Sequence, residues 1–227
     1  MIKLSIFDMD GTLIDNDCDV SWKEFLVAEG IAPRSDLALA QKFFADYNAG
    51  TLDHGEFVAF QLREFVGRSV AEMAAIARKH FEKVVRPKCR PGALEFVRRA
   101  RASGAETILL SSTNTVISEP VRAFFGIGRA DGTTLELSPA GRYTGRISGE
   151  YALGPNKVNF MRRFAEELNI TPAEIAACGD SMNDVPLLSA VGAAFAVNPG
   201  EALAETARKR NWPVLDWNRA AGGATPE

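Results

Sequence analysis

The residues of this chain best placed to do chemistry are Asp8 and Asp10, which close the run Ile2-Lys3-Leu4-Ser5-Ile6-Phe7-Asp8-Met9-Asp10-Gly11-Thr12-Leu13. Two positions apart on extended backbone, their side chains share one side, and Gly11 permits a sharp exit. The residues before them form a short apolar run with hardly a polar interruption, which predicts a strand buried on both faces in the middle of a parallel sheet. Two carboxylates at the end of such a strand repel each other unless positive charge lies between them. The pair therefore reads as a site with a divalent cation as counterion. Taken alone, the same residues also fit an Asp10-Gly11 turn with Asp8 as a cap.

The elements that must position these acids follow from patterning. The chain has 227 residues, 46% of them hydrophobic, and a formal charge of −3, which suits a soluble protein with one large domain or a core plus an insertion. No apolar stretch approaches the roughly 18 residues of a membrane span. The start shows no basic segment followed by a long apolar one, and the expectation is a cytoplasmic protein that meets no membrane. Cys18, Cys89 and Cys178 are scattered without a CxxC pair, so neither a disulfide framework nor a zinc site is indicated. With no dense Lys/Arg block, nucleic acid is not the expected partner; Arg98, Arg99 and Arg101 cluster on what reads as a solvated helix face.

Residues 15–86 read as helix after helix, with Trp22, Phe25 and Leu26, then Phe43, Phe44 and Tyr47, then Phe57, Phe60 and Phe65, then Met73, Ile76, Phe81 and Val84 at helical spacing. Ser69 and Glu72 form a capping-box pattern. Half of the chain's 14 Phe fall in this stretch, which predicts a small helical bundle with its own core. From Pro87 onward strands alternate with helices: helices over 91–103, 115–125, 156–168 and 201–210, strands over 105–110, 175–178, 194–197 and 213–215, and a hairpin over 133–148. A capping-box pattern at Thr171 and Glu174 precedes the second of those strands, and residues 218–227 read as a frayed tail.

This alternation predicts an α/β fold, a doubly wound parallel sheet in which ligands sit beyond the carboxyl ends of the strands. Three strand ends carry polar clusters, Asp8/Asp10, Ser111/Ser112 and Asp180/Asn183/Asp184, and this topology brings them to one edge.

Four motifs in order, Asp8-Met9-Asp10-Gly11-Thr12-Leu13, Ser111 at a strand end, Lys157 opening a later helix, and Gly179-Asp180-Ser181-Met182-Asn183-Asp184, resemble the haloacid dehalogenase superfamily of phosphohydrolases. The resemblance runs from about residue 2 to 216. The helical insertion resembles the cap of the subfamily that contains phosphoserine phosphatases. Trp22–Leu26, Asp46–Gly50 and Arg210–Asp216 resemble a bacterial branch that includes histidinol-phosphate phosphatases.

The resemblance implies a Rossmann-like core over residues 1–14 and 88–217 with an all-helical cap over 15–87. It implies that Asp8 is the nucleophile, forming an aspartyl-phosphate that splits one hard displacement into two easier ones. Asp10 is then the general acid and base. Magnesium is the implied cofactor, held by a carboxylate oxygen of Asp8, the backbone carbonyl of Asp10 and a carboxylate oxygen of Asp180, with Asp184 orienting a coordinated water or Lys157. Ser111 and the backbone N–H of Ser112 would hold phosphate oxygens, Lys157 would neutralise charge, and Asn183 would bond substrate or phosphate.

Substrate choice would belong to the cap. Asp17 matches the acid that meets the substrate amine in phosphoserine phosphatases. Gln61 falls where those enzymes carry an arginine for the serine carboxylate, and Arg63 faces elsewhere. His54 and His80 read as cap-surface residues without a role. The expected activity is magnesium-dependent hydrolysis of a small phosphate monoester, with histidinol phosphate or a similar amino-alcohol phosphate favoured, by a monomer or homodimer. Phosphoserine hydrolysis, phosphotransfer through the same intermediate, and a non-catalytic phosphate-binding regulatory protein are the alternatives. Dehalogenase chemistry is disfavoured because those relatives lack the second acid. A phospho-receiver domain is disfavoured because its acceptor Asp ends a later strand and no large helical insertion follows the first.

Overall fold

A computed structural model describes residues 1–219. Strand β1 (Leu4–Phe7) is buried along its whole length. The insertion follows as α1 (Cys18–Ala28), α2 (Asp36–Ala49), α3 (His54–Leu62) and α4 (Val70–His80). Asp17, Asp53 and Ser69 accept hydrogen bonds from the first turns of α1, α3 and α4, and Ser69 with Glu72 completes the expected capping box. A π-helical turn (Phe81–Val85) and a 3₁₀ turn (Arg86–Lys88) bring the chain back to the sheet.

The remainder runs α5 (Pro91–Ala102), β2 (Glu106–Ser111), α6 (Thr115–Phe125), β3 (Arg129–Gly132), the hairpin β4 (Thr134–Leu137) and β5 (Tyr143–Ser148), then α7 (Asn156–Leu168) and β6 (Ile175–Gly179). It closes with α8 (Val185–Ala190), β7 (Ala193–Val197), α9 (Glu201–Arg210) and β8 (Val214–Leu215). Six parallel strands form one sheet in the order β3-β2-β1-β6-β7-β8, and β4 pairs antiparallel with β5 in a second. This is the expected doubly wound α/β architecture.

Side chains alternate across the sheet, so Leu4 and Ile6 enter one apolar layer with Phe160 and Ala177, while Phe7 enters the other with Leu109 and Cys178. The second layer is where the insertion departs from expectation. Trp22, Phe25, Phe65, Met73 and Phe81 belong to the same cluster as Phe7, and only Ala40, Phe43 and Phe60, between α2 and α3, form a separate one. Four of the six buried aromatic residues of the insertion therefore belong to the main core, which roots α1 and α4 there. Burying a large apolar side chain stabilises by about 1.5–3 kcal/mol, so this rooted pair is held far more strongly than α2 with α3.

Two elements were not anticipated. Strand β3 is Arg-Ala-Asp-Gly at the sheet edge, paired with β2 alone, and has no apolar run to announce it. Helix α8 is six residues long, too short to show a period. The expected tail over 218–227 lies, from residue 220, outside the described residues.

Candidate active site

Because β1 lies between β2 and β6 with Phe7 level with Leu109 and Cys178, the residues that follow these strands meet at one edge. Asp8 leaves β1 with its N–H donating to the Cys178 carbonyl at 3.0 Å. Two glycines make room for the carboxylates. A Cβ on Gly11, whose φ is +76°, would lie 2.1 Å from Asp180 Oδ2, and one on Gly179 would lie 2.5 Å from Asp184 Cβ.

Lys157, in the first turn of α7, is buried, and its Nζ donates to Asp8 Oδ1 at 2.6 Å and to Asp184 Oδ1 at 2.7 Å. Asp184 Oδ2 accepts from the N–H groups of Asp180 and Ser181 and from the Ser181 hydroxyl, each at 3.2 Å. Both oxygens of Asp184 are thus committed. Thr12 Oγ1 lies 3.2 Å from Asp8 Oδ2 and 3.1 Å from Asp180 Oδ1, so its single proton serves two acceptors in turn.

One ammonium faces three carboxylates, and the titration of Asp8 and Asp180 reflects it. Burial pushes Asp180 up to about 8, with the charges of Asp8 and Asp184 adding to the shift. Burial likewise raises Asp8 to about 6 against the pull of Lys157. Burial alone would lower Lys157, but Asp184 and Asp8 hold it above its ordinary value. Carboxylate oxygens of Asp8, Asp180 and Asp184 lie within 4.8 Å of one another. This all-oxygen set with excess negative charge fits a hard divalent cation, and the cluster can hold one.

Asp10 sits apart from that cluster. Its Oδ1 accepts from the Cys18 N–H and its Oδ2 from Thr113 Oγ1, both at 2.7 Å. Burial, with the charges of Asp17 and Asp8 adding, raises its carboxyl to about 7, a value suited to giving and taking a proton near neutrality. Ser111 is buried with its Oγ accepting from the Thr113 N–H at 3.1 Å, and Asn114 caps α6 just beyond. Ser111 and Ser112 both line the cavity in front of Asp8.

That cavity, of about 430 Å³, is closed on its far side by the insertion. Asp17 and Asp19 from the start of α1, Tyr47 from α2 and Gln61 from α3 face Asp8, Lys157 and Asp180 across it. Burial raises both Asp17 and Asp19, and the charges of Asp17 and Asp10 lift Asp19 further. Gln61 is buried, its Nε2 donating to the Asp19 carbonyl at 2.9 Å. Asn183, which also lines the cavity, donates from Nδ2 to the Tyr47 hydroxyl, so it ties the insertion to the strand edge. Arg63 pairs with Asp36 and Glu64 away from the cavity, as the sequence suggests.

His80 is a correction. It is not on the surface but buried, with Nε2 3.1 Å from Ser21 Oγ and its ring 5.3 Å from that of Trp22. Burial, with Lys88 nearby, lowers it to about 4. His54 does lie exposed, at the start of α3, but it also lines the cavity, its ring 6.1 Å from that of Tyr151. Sequence reasoning passed over Thr113, Asp19, Tyr47 and Tyr151, all in or beside the site. The alternation of Asp15, Asp17 and Asp19 is a visible signal for Asp19; Tyr47 falls within the helical packing pattern of α2, and Tyr151 carries no signal.

A parallel sheet with acids at its central strand ends, a lysine between them and a helical insertion overhead defines a hydrolase class, and residues 6–189 match the family model for haloacid dehalogenase-like hydrolases. The chain belongs to that family. It is 35% identical over 221 residues to a histidinol-phosphatase of Neisseria meningitidis, covering 96% of this chain and 100% of that one. It is 30% identical over 226 residues to a phosphoserine phosphatase of Mycobacterium tuberculosis, covering 97% and 72%. A crystal structure of a protein of unknown function from Bordetella pertussis superposes with a TM-score of 0.85 at 32% identity, covering 96% and 100%. Within the family, the chain is a phosphatase. Among the described residues, no helix is long and apolar enough to cross a membrane.

Proposed function

We propose that this phosphatase hydrolyses phosphate monoesters of small amino alcohols, histidinol phosphate foremost, through an aspartyl-phosphate on Asp8. Residues 15–87 act as its cap. The observation that supports the reading is the contrast between two neighbouring acids: Asp8 accepts from Lys157, and Asp10, off the cation cluster, is raised by burial to about 7.

A carboxylate oxygen of Asp8 attacks phosphorus and the bond to the ester oxygen breaks. Asp10 passes its proton to the departing alkoxide, then takes one from the water that attacks the phosphorus of the intermediate. Inorganic phosphate leaves and Asp8 is restored. Lys157 keeps Asp8 oriented and offsets its charge, while Ser111, the Ser112 N–H and the amino end of α6 receive phosphate oxygens. Magnesium would be held by Asp8, Asp180 and the Asp10 carbonyl, with Asp184 acting through Lys157 and the Asp180 and Ser181 amides, and would supply positive charge to the phosphoryl group.

Histidinol phosphate is favoured by the relative that matches this chain over its full length. Phosphoserine is a second reading, supported by the Mycobacterium relative; against it, Gln61 supplies no cation for a carboxylate. The test is phosphate release with magnesium from a panel containing histidinol phosphate, phosphoserine and phosphoethanolamine, using wild type and Asp8→Asn. Release by wild type alone is expected. No release from any ester, or undiminished release by the variant, would overturn the reading.

A further inference from the structure

We propose that Asp19 and Gln61 together read the substrate's head group, a protonated amine donating one N–H to the Asp19 carboxylate and another to Gln61 Oε1, while esters carrying a carboxylate are turned away. The inference rests on the phosphatase reading above and adds to it the residues that set specificity.

Gln61 provides the first observation. Its Nε2 donates to the Asp19 carbonyl at 2.9 Å, and because a carbonyl only accepts, the orientation of the amide is fixed. Oε1 is therefore the free end. The residue is 7% exposed and lines the cavity, yet Oε1 has no hydrogen-bond partner. A buried acceptor left without a donor is costly, and a ligand N–H is the group that would relieve it.

The charge around it gives the second. The charge of Asp17 acts on Asp10, and the charges of Asp17 and Asp10 act on Asp19, so three acids crowd this end of the cavity. Among the described residues, the lining's only lysine or arginine is Lys157, whose ammonium is committed to Asp8 and Asp184. Apart from the His54 ring beside Tyr151, a carboxylate at this end would meet acids and an amide oxygen, whereas an ammonium would find both a charge and an acceptor. The rings of Phe57 and Tyr151 line the same end.

Phosphoethanolamine and ethylene glycol monophosphate form a matched pair, since they share the phosphate and chain length and differ in an ammonium for a hydroxyl. Wild type is expected to favour the amine in kcat/KM by about 10- to 100-fold, the value of one or two charge-assisted hydrogen bonds. Phosphoethanolamine should also exceed phosphoserine. In Asp19→Asn the preference should collapse to within about threefold of unity, and in Gln61→Leu it should fall partway. A wild-type ratio near one, a ratio unchanged in Asp19→Asn, or phosphoserine preferred to phosphoethanolamine would each overturn the proposal. The wild-type ratios need no variant to fold. If neither ester is hydrolysed, the phosphatase reading is still judged by release from histidinol phosphate, and calorimetric binding of the same two esters to wild type decides this proposal: tighter binding of the amine upholds it and equal affinity overturns it.

Discussion

The two walls of the cavity are built in opposite ways. On the strand-edge wall the charged side chains have partners: Lys157 bridges Asp8 and Asp184, Asp184 accepts four donors, Asp10 accepts on both oxygens, and Asp180 accepts from Thr12. On the insertion's wall the polar groups are only partly engaged. Gln61 has an unpaired buried oxygen, Asp19 is crowded by like charge, and Tyr47 touches the opposite wall through one hydrogen bond to Asn183. Groups that act on the same phosphoryl centre for every substrate gain from being fixed before binding. Groups that choose a substrate gain from being satisfied only when the right one arrives.

The difference can be broken most sharply at Asp8. Asp8→Asn should lower phosphate release at least about 10⁴-fold, as loss of a nucleophile does. A stopped assay with any ester that wild type hydrolyses checks it. A smaller loss would mean that the strand-edge wall does not do the chemistry.

Asp10→Asn should cost about 10²–10⁴-fold on phosphoethanolamine, whose alkoxide needs a proton to leave. With p-nitrophenyl phosphate, whose leaving group needs little help, rapid mixing should show a burst of nitrophenol followed by slow turnover. The first step then survives while the attack of water lacks its base.

His80 tests how firmly the rooted part of the insertion belongs to the core. Burial holds it at about 4, below its ordinary 6.5, so the unfolded chain takes up the proton first as pH falls. Its contribution is therefore complete above about 6.5 and is lost on the way down to 4. His80→Gln should be less stable than wild type at pH 7, and the gap should narrow by about 2 kcal/mol toward pH 4.5. Urea unfolding followed by intrinsic fluorescence measures it. A constant gap would separate α4 from the core's cooperative unit.

The smallest effect is expected at the latch. Tyr47→Phe removes one partly exposed hydrogen bond to Asn183, worth about 1 kcal/mol, and should raise KM about fivefold with little change in kcat. A large fall in kcat would instead assign the Tyr47 hydroxyl to the chemistry.

How much of this was legible beforehand depended on whether the signal was local. The first strand, the bounds of α6 and α9 and the Ser69–Glu72 cap follow from apolar periods and capping residues a few positions apart, and the structure shows them there. β3 was missed because an edge strand with one neighbour needs no apolar run, and α8 because six residues show no period. The burial of His80 was unreadable, since it depends on Trp22 and Ser21, which α1 brings from far along the chain.

By itself the sequence carried the candidate site's residue types: Asp8, Asp10 and Asp180 stand at strand ends that short-range apolar patterning marks, while the roles of Ser111 and Lys157 come from the family resemblance. Asp8, Asp10, Ser111, Lys157 and Asp180 were all named from it. Only the tertiary structure decided which of them touch. It placed Lys157 between Asp8 and Asp184, set Thr113 against Asp10, and brought Asp19 and Gln61 to the same wall. Each of these is a contact between residues distant in the chain, fixed by how the parallel sheet and the rooted helices pack.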